Sequence, residues 1–376
     1  MAYRLGVDIG GTFTDATLIN EATGEIFISK VSSTPKDHSL GLMEAVHRIL
    51  RENKVGAEEV TYLVHGTTVA TNSIIEGKVA RTGFLTTEGF RDMLEIARQI
   101  RPSLYDLQFE KPKPLVPRYL CFGVLERLDA QGRVVIGLDE VTVAEVAKKL
   151  RDEEVESIAV CLLHAYANSE HEKRVGQILR HVLPEIPISL SSEVAPEFRE
   201  YFRASTTVIN ASIQPVVARY LERIETQLRR EGLVAELLLM QSSGGVFTFS
   251  EARRKPVFMV ESGPAAGVIS AAYLGNQLGT HDILSFDMGG TTAKVGVSLD
   301  GRPILTKNLE VGRVAREQPG SGYPVVLRSI ELREISAGGG SIARIDPTGL
   351  LDVGPDSAGS VPGPACYGRG GTEPTV

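Results

Sequence analysis

One five-residue pattern, Asp-x-Gly-Gly-Thr, occurs twice in this 376-residue chain and constrains its fold more than any other feature. The stretch LGVDIGGTFTDATLI at 5–19 carries the first copy, and LSFDMGGTTAKVGVSL at 284–299 carries the second. Apolar β-forming residues flank both copies, so each copy is predicted to form a strand, a tight turn and a second strand. A turn needs glycine, but it does not need the same acid two residues earlier on both occasions. The repeat therefore predicts two duplicated lobes whose hairpins face each other.

The polar groups of these hairpins are suited to binding phosphate. Glycine-rich turns present backbone N–H groups to an anion, and a carboxylate beside phosphates can hold Mg²⁺. Asp8 and Asp287 are therefore predicted to be catalytic and to hold Mg²⁺, although an aspartate can also cap its own turn. Two facing hairpins would clamp a nucleoside triphosphate such as ATP. The predicted phosphate-binding residues are Gly10, Gly11, Thr12 and Thr14 in the first hairpin and Gly289, Gly290, Thr291 and Thr292 in the second.

A third glycine cluster follows the second hairpin. The segment EISAGGGSIARID at 334–346 comes after the strand-like sequence PVVLRSIEL and contains Gly338, Gly339 and Gly340. Glycines have no side chain, so a flat group such as a base and its ribose can lie directly on their backbone. We predict that this cluster supports the adenosine side of the nucleotide.

The ordered set of three motifs resembles the actin-like ATPase superfamily. The finer resemblance is to the hydantoinase A/5-oxoprolinase family of ATP-dependent amide-ring hydrolases and related carboxylases. It implies an α/β fold of two actin-like, ribonuclease H-like lobes with mixed sheets, an interlobe nucleotide cleft, and ATP and Mg²⁺ as cofactors. The segments that carry it are VDIGGTFTD, HGTTVATNSIIEG, RTGFLTTEGFRDMLEI, YFRASTTVINASIQP, LLMQSSGGV, ESGPAAGV, FDMGGTTAKV and SAGGGSI.

Further motifs lie at predicted strand ends and helix starts. His65 ends a strand in HGTTVATN, where it could meet a ligand anion or move a proton, and we predict it as a third catalytic residue of the cleft. The adjoining threonines could instead cap the next helix. Lys294 could reach a phosphate or lie exposed on its strand, and the turns at 242–245 and 261–264 could either face the cleft or serve as ordinary connections. Arg199, Glu200 and Arg203 match the family but could form an ion-pair ladder along one helix.

Composition excludes several classes of protein. A net charge of −7 leaves no basic excess for binding nucleic acid. No stretch reaches about 18 continuous apolar residues, and the chain enters a strand directly after Met1, so we expect no membrane span, no signal peptide and a cytoplasmic protein. The three cysteines (Cys121, Cys161 and Cys366) are far apart and are interpreted as reduced thiols, which argues against a cysteine-held iron–sulfur cluster.

The pattern along the chain predicts two lobes, 1–195 and 196–376. Two helices, at 197–212 and 214–231, are predicted to be separated by Pro215, with the crossing between lobes there. Residues 347–374 are rich in proline and glycine and are predicted to be loop. Members of the resembling family usually continue past this point, so we expect either a truncated chain or a natural short form whose remainder lies on another polypeptide.

The resemblance implies ATP-driven opening of a small cyclic amide such as 5-oxoproline or a hydantoin. It also implies a hydantoinase B-like subunit or a C-terminal region absent from this chain as partner, and a homo-oligomer is possible. Two alternatives stay open. The chain could be the ATP-hydrolysing subunit of a ketone carboxylase of the acetone type, or a nucleotide-binding module that is inactive without its partner. A sugar kinase is a weaker option, because segments such as RASTTVINASIQP resemble the hydantoinase A/5-oxoprolinase family instead.

Overall fold

The computed structural model describes residues 2–34, 37–103, 105–290, 292–314, 318–335, 337–359 and 361–376. Within these residues the helices are α1 (His38–Asn53), α2 (Val69–Ile75), α3 (Met93–Ile96), α4 (Glu140–Asp152), α5 (Glu170–Val182), α6 (Ser191–Val194), α7 (Glu200–Arg230), α8 (Phe249–Arg254) and α9 (Ser262–Gln277). The strands are β1 (Tyr3–Ile9), β2 (Phe13–Asn20), β3 (Ile26–Ser32), β4 (Val60–Thr67), β5 (Thr82–Thr87), β6 (Cys121–Val124), β7 (Arg127–Leu128), β8 (Val134–Ile136), β9 (Ser157–Cys161), β10 (Ile188–Leu190), β11 (Glu236–Met240), β12 (Val246–Thr248), β13 (Ile283–Met288), β14 (Ala293–Leu299), β15 (Arg302–Pro303), β16 (Leu305–Thr306), β17 (Leu309–Val311), β18 (Tyr323–Val325), β19 (Ser329–Ile330), β20 (Leu332–Ile335), β21 (Ser341–Ile345) and β22 (Leu351–Ser357).

The first sheet carries the first glycine hairpin. Its strand order is β12-β11-β4-β1-β2-β3, in which β1, β2 and β3 form an antiparallel meander and β4 and β11 continue it in parallel. Leu5, Val7 and Ile9 alternate along β1 and are buried, as a half-buried strand requires. The amphipathic helix α1 packs against β2 and β3, and Asp37 caps it by accepting from the Ser39 amide. This sheet confirms the prediction of an α/β fold with mixed sheets.

The second sheet is entirely parallel. Its strand order is β10-β9-β5-β6, and its central strands are buried along their whole length, as parallel strands covered on both faces usually are. Helices α4, α5 and α7 contact this sheet. Phe84 and Leu85 of β5 lie in a hydrophobic core distinct from that of the first sheet.

The third sheet carries the second glycine hairpin. Strand β14 lies between β13 and β20, and β15 extends its far end. Helix α9 approaches this sheet closely because two glycines lie at the contact. A Cβ on Gly296 would come within 2.3 Å of Val268, and a Cβ on Gly275 would overlap the side chain of Ile283. Larger residues at these positions would push the helix away from the hairpin strands.

The predicted break at Pro215 is wrong, because α7 is a single helix of 31 residues that contains Pro215. A proline inside a helix costs about 3 kcal/mol, and the packing of α7 offsets that cost. Ile209, Ile213 and Val217 are fully buried around the proline, and the carbonyl of Ser212 accepts a hydrogen bond from the Ala80 amide at 2.8 Å. None of the described helices, α7 included, combines the length and apolar character needed to cross a membrane.

Helix α3 ends after Ile96, because Ala97 and Gln99 adopt positive φ angles of 52° and 53°. One further local prediction needs correction. The region 347–374, predicted to be loop, contains β22, which pairs with β21. The division into lobes at 1–195 and 196–376 stays a prediction. The first sheet recruits β11 and β12 from beyond residue 195.

Candidate nucleotide-binding cleft

The two hairpins close their turns in the same way. In the first, the amide of Gly10 donates to the carbonyl of Phe13 at 3.0 Å. In the second, the amide of Gly289 donates to the carbonyl of Thr292 at 2.9 Å. Asp8 and Asp287 occupy equivalent positions near the ends of β1 and β13. The sequence repeat is therefore a structural repeat.

The tips of the hairpins meet. A Cβ on Gly290 would lie 2.7 Å from the Thr12 hydroxyl oxygen, so only a glycine lets the first hairpin approach the second this closely. The space beside Gly11 is open, with no atom within 4 Å of a Cβ built there. Thr291 lies outside the described residues, and Thr292 is half-buried.

Backbone donors remain available at this meeting point. Within the described part of the chain, the amides of Gly11, Thr12 and Gly290 make no backbone hydrogen bond. They lie on two different hairpins that touch, so together they offer backbone donors of the kind that binds phosphate.

Thr14 has a different environment from the one predicted. Its side chain is fully buried, and its hydroxyl lies 3.0 Å from that of Ser33, which in turn donates to the Gly10 carbonyl at 2.7 Å. Thr14 therefore braces the base of the first turn from behind. The reason is the alternation along β2, which points Thr14 towards α1, where Gly41 makes room for it.

Asp8 lies between two glycines. One carboxylate oxygen would be 2.5 Å from a Cβ on Gly66, at the end of β4, and 3.2 Å from a Cβ on Gly263, in the first turn of α9. These two glycines leave the space that the carboxylate occupies, and a side chain at either position would displace it. Sequence reasoning had not singled out Gly66. The signal that could have found it is a glycine at the end of a buried strand, which often marks a close approach of another group.

The electrostatics of Asp8 follow from this enclosure. Water reaches the side chain from the open side of the cleft, but protein surrounds it elsewhere, and this loss of hydration raises the pKa of Asp8 to about 6. The negative charges of Asp15 and Asp287 raise this pKa further, while Lys30, which pairs with Asp15 at 2.6 Å, lowers it. Asp287, on the second hairpin, is therefore close enough for its charge to act on Asp8.

The carboxylates of Asp8 and Asp287 suit a Mg²⁺ ion that takes most of its ligands from a bound substrate and water. No group of three or more potential metal-ligating side chains occurs in the described residues. Mg²⁺ usually uses one or two carboxylates and takes its remaining oxygens from water and phosphates. Asp8 and Asp287 supply that number of carboxylates, and a divalent cation would relieve their mutual repulsion.

The third glycine cluster abuts the second hairpin. The amides of Gly339 and Gly340 donate to the carbonyls of Gly289 and Gly290 at 2.9 and 2.6 Å. The Gly338 amide donates to the Ser341 hydroxyl at 3.0 Å. The structure therefore brings all three predicted motifs together. The contact of Gly338–Gly340 with a base stays a prediction.

His65 does not line the cleft, which corrects the prediction. The imidazole is completely buried. Its Nδ1 lies 3.1 Å from the Val7 carbonyl and its Nε2 lies 2.8 Å from the Tyr220 hydroxyl. Because a carbonyl can only accept, Nδ1 carries the proton and Nε2 accepts from Tyr220. Burial lowers the pKa of His65 to about 4, so the ring is neutral and joins β4, β1 and α7.

The other motifs are engaged in structural contacts. Lys294 forms an ion pair with Glu261, which has a left-handed backbone conformation at the start of α9. The Ser242 hydroxyl donates to the Phe258 carbonyl at 2.7 Å. Arg203 is buried and donates to the carbonyls of Leu162 and Glu197 and to the Ser191 hydroxyl. Arg203 is therefore not part of an ion-pair ladder along α7.

Comparisons with known proteins place the chain in a family of the expected class. Residues 4–183 match the hydantoinase/oxoprolinase N-terminal region, and residues 203–376 match the hydantoinase/oxoprolinase domain that follows it. The chain belongs to the hydantoinase/oxoprolinase family.

Three relatives illustrate the range of this family. Caprolactamase subunit alpha of Pseudomonas jessenii is 35% identical over 100% of this chain and 53% of its own length. The crystal structure of the ATP-dependent caprolactamase from that organism has a TM-score of 0.85 at 34% identity, covering 99% of this chain and 53% of that one. A nucleotide-free acetone carboxylase structure has a TM-score of 0.82 at 28% identity, with coverage of 99% and 53%. The 5-oxoprolinase of Saccharomyces cerevisiae is 32% identical over 98% of this chain and 30% of its own length. The chain thus spans about half the length of the caprolactamase subunit and less than a third of the oxoprolinase.

Proposed function

We propose that this chain binds Mg-ATP between the two glycine hairpins and transfers its terminal phosphoryl group to the carbonyl oxygen of a cyclic amide. The observation that carries this proposal is the contact between Thr12 and Gly290, which joins two phosphate-binding turns into one site. The names of the relatives support it, because caprolactamase and 5-oxoprolinase each act on a cyclic amide.

The chemistry explains why ATP is needed. An amide is a poor electrophile, because its nitrogen donates electron density into the carbonyl. Transfer of the phosphoryl group to the carbonyl oxygen forms ADP and an activated carbon. Water then adds to that carbon, and the carbon–nitrogen bond breaks to open the ring and leave an acyl phosphate. A second water hydrolyses the acyl phosphate to a carboxylate and inorganic phosphate. Such transfer depends mainly on positioning and charge neutralisation.

The residues of the cleft suit these tasks. The free amides of Gly11, Thr12 and Gly290 would hold phosphate oxygens. Asp8 and Asp287 would hold Mg²⁺, which neutralises phosphate charge when bound. The first turn of α9, which lies against Asp8 at Gly263, adds the positive end of a helix dipole to the same region.

Phosphorylation of a ketone enolate for carboxylation is the second candidate, and the similarity to acetone carboxylase favours it. A coupled assay for ADP release, run with this chain as part of its complete assembly, separates the two functions. We expect stimulation by 5-oxoproline, hydantoin or caprolactam, with one ring-opened product per ADP. Stimulation by acetone and bicarbonate alone would favour the carboxylase.

We further propose that turnover needs a polypeptide region beyond these 376 residues, either a C-terminal region or a hydantoinase B-like subunit. The relatives named above are longer than this chain. In addition, Leu284, Phe286 and Met288 project from one face of β13 and are 66%, 56% and 44% exposed. An apolar row of this kind on the strand that carries Asp287 is typical of a surface that another polypeptide covers.

A further inference from the structure

A second candidate binding site lies away from the hairpins. A cavity of about 80 Å³ opens beside a wider groove of about 660 Å³, and Arg98, Glu310 and Pro324 line both. None of their lining residues belongs to the glycine hairpins or to Gly338–Gly340. The walls come from the loop after β5, the start of α7 and the segment from β17 to β18.

The position of this cavity in the fold is one that favours ligand binding. In the second sheet, β5 is followed along the chain by β6 on one side and then by β9 on the other side. Ligands of parallel α/β sheets bind beyond the carboxyl ends of the strands where the order reverses in this way. Arg98 lies on the loop that leaves the carboxyl end of β5, and the start of α7 contacts Cys161, the last residue of β9.

The cavity has an apolar body. Leu94, Ile100, Leu115 and Val208 contribute to its lining. Val208 lies on the same face of α7 as Tyr201 and Ser205, because these residues follow the i, i+4, i+7 spacing of one helical stripe. The ligand would therefore contact hydrocarbon along most of its surface.

Three polar side chains face this space with donors to spare. No hydrogen bond in the described part of the chain uses the side chains of Arg98, Tyr201 or Ser205. Ser205 is only 5% exposed, so few positions other than the cavity can supply a partner for its hydroxyl. Two other polar groups of the cavity are already engaged: Glu310 accepts from the Gly320 amide at 2.7 Å, and Tyr323 donates to the Lys113 carbonyl at 2.6 Å.

Arg98 is held in place without being neutralised. Its guanidinium lies 5.0 Å from the centre of the Phe202 ring, a stacked arrangement that leaves the edge donors of the guanidinium free. Within the described residues it forms no ion pair, although Glu310 lines the same cavity. Glu310 is instead occupied by Arg313 at 3.0 Å.

The backbone around the cavity is held in uncommon conformations. Of the eight described non-glycine residues with positive φ, three line these two spaces: Ala97, Gln99 and Arg199. Such conformations persist where the surrounding structure enforces them, and they concentrate at functional sites. Those of Ala97 and Gln99 flank Arg98 on both sides along the chain.

We propose that this cavity binds a small organic carboxylate, with Arg98 receiving the carboxylate and the hydroxyls of Tyr201 and Ser205 completing its hydrogen bonds. The Arg98 guanidinium, which forms no ion pair within the described residues, matches one negative charge, and a planar carboxylate matches its fork of donors. The apolar lining accommodates a compact ring or short chain. The proposal goes beyond the nucleotide cleft and does not depend on ATP binding there.

Calorimetric titration of the nucleotide-free chain with benzoate, 5-oxoproline and hexanoate tests this proposal, with benzamide and 2-pyrrolidinone as uncharged counterparts. Loss of a charge-assisted pair weakens binding by about tenfold or more. We expect that reduction for benzamide relative to benzoate. We also expect it for benzoate binding to the Arg98→Met variant.

The matched control is Arg127→Met, because Arg127 stacks on Phe90 at 5.1 Å but lines neither space. It should bind benzoate as the wild type does. Ser205→Ala should weaken benzoate binding while leaving thermal stability unchanged. This variant tests the proposal if Arg98→Met does not fold. The proposal is overturned if no carboxylate binds at millimolar concentration, if benzamide binds as tightly as benzoate, or if inorganic phosphate binds more tightly than any carboxylate.

Discussion

The glycine at position 66 gives a quantitative test of how Asp8 is positioned. In a Gly66→Ala variant, the new methyl carbon would lie 2.5 Å from a carboxylate oxygen of Asp8. Real Cβ atoms essentially never approach another atom closer than 3.0 Å, so the carboxylate must move by at least about 0.5 Å. The φ angle of Gly66 is not positive, so alanine introduces no backbone strain of its own.

A displacement of this size affects rate more than folding. Misplacing a catalytic group by about 1 Å can cost roughly 100-fold, so we expect ATP hydrolysis by Gly66→Ala to fall about 10- to 100-fold. Overpacking should lower the free energy of unfolding by about 1 kcal/mol. The assay is ADP release with the complete assembly, beside urea denaturation of the isolated chain.

Two controls make this test specific. Gly6→Ala places a methyl group in the neighbouring strand β1, where the nearest atom is 3.9 Å away, and it should leave both rate and stability unchanged. In an Asp8→Ala background the obstructing carboxylate is gone, so Gly66→Ala should no longer reduce stability. Hydrolysis at the wild-type rate by the folded Gly66→Ala variant would refute the assigned position of Asp8.

Four further outcomes are expected. Asp8→Asn and Asp287→Asn should each reduce ATP hydrolysis much more than Mg-ATP affinity. The raised pKa of Asp8 means that its ionised form destabilises the folded chain. Above pH 6, Asp8→Asn should therefore stabilise the nucleotide-free chain by about 1 kcal/mol after allowance for solvent screening. Equal or lower stability of the variant at pH 7 would contradict this. His65 has a pKa of about 4 when folded and 6.5 when unfolded. The stability that it contributes is therefore present above pH 6.5 and is lost as the pH falls towards 4. In urea titrations, His65→Gln should remove up to about 3 kcal/mol of this pH dependence of the unfolding free energy. The chain alone should show little ADP release stimulated by 5-oxoproline or hydantoin. Adding a hydantoinase B-like subunit or the C-terminal region of a relative should raise the rate of this release. Full stimulated activity without either addition would contradict the proposed partner.

The hairpins could be predicted from sequence because their determinants are local. Asp8, Gly10 and Thr12 lie within five residues, and the same spacing recurs at Asp287 and Gly289. Glycine imposes a tight turn wherever the chain folds. The structure then adds what spacing alone does not contain, which is the contact between the two tips.

His65 and Pro215 show where local reasoning fails. The two partners of His65 lie 58 and 155 residues away, so nothing near HGTT indicates that both ring nitrogens are engaged. At Pro215 the local rule predicts a break, but Ile213 and Val217 are buried on either side and keep the helix continuous. In both cases tertiary packing, which a single sequence does not display, decided the outcome.

The central claim is that the two hairpins form one nucleotide site, and calorimetric titration with Mg-ATP tests it most directly. Gly11→Glu places a carboxylate at the open tip of the first hairpin, where it would repel phosphate. Gly290→Glu places one at the tip of the second hairpin, where its Cβ would also push Thr12 away and separate the two tips. Gly267→Glu, at an exposed position of α9 with open space around it, is the matched control. We expect one Mg-ATP per wild-type chain, no detectable binding by either hairpin variant, and unchanged binding by Gly267→Glu. Absence of binding by the wild type, or wild-type affinity in either hairpin variant, would contradict the claim.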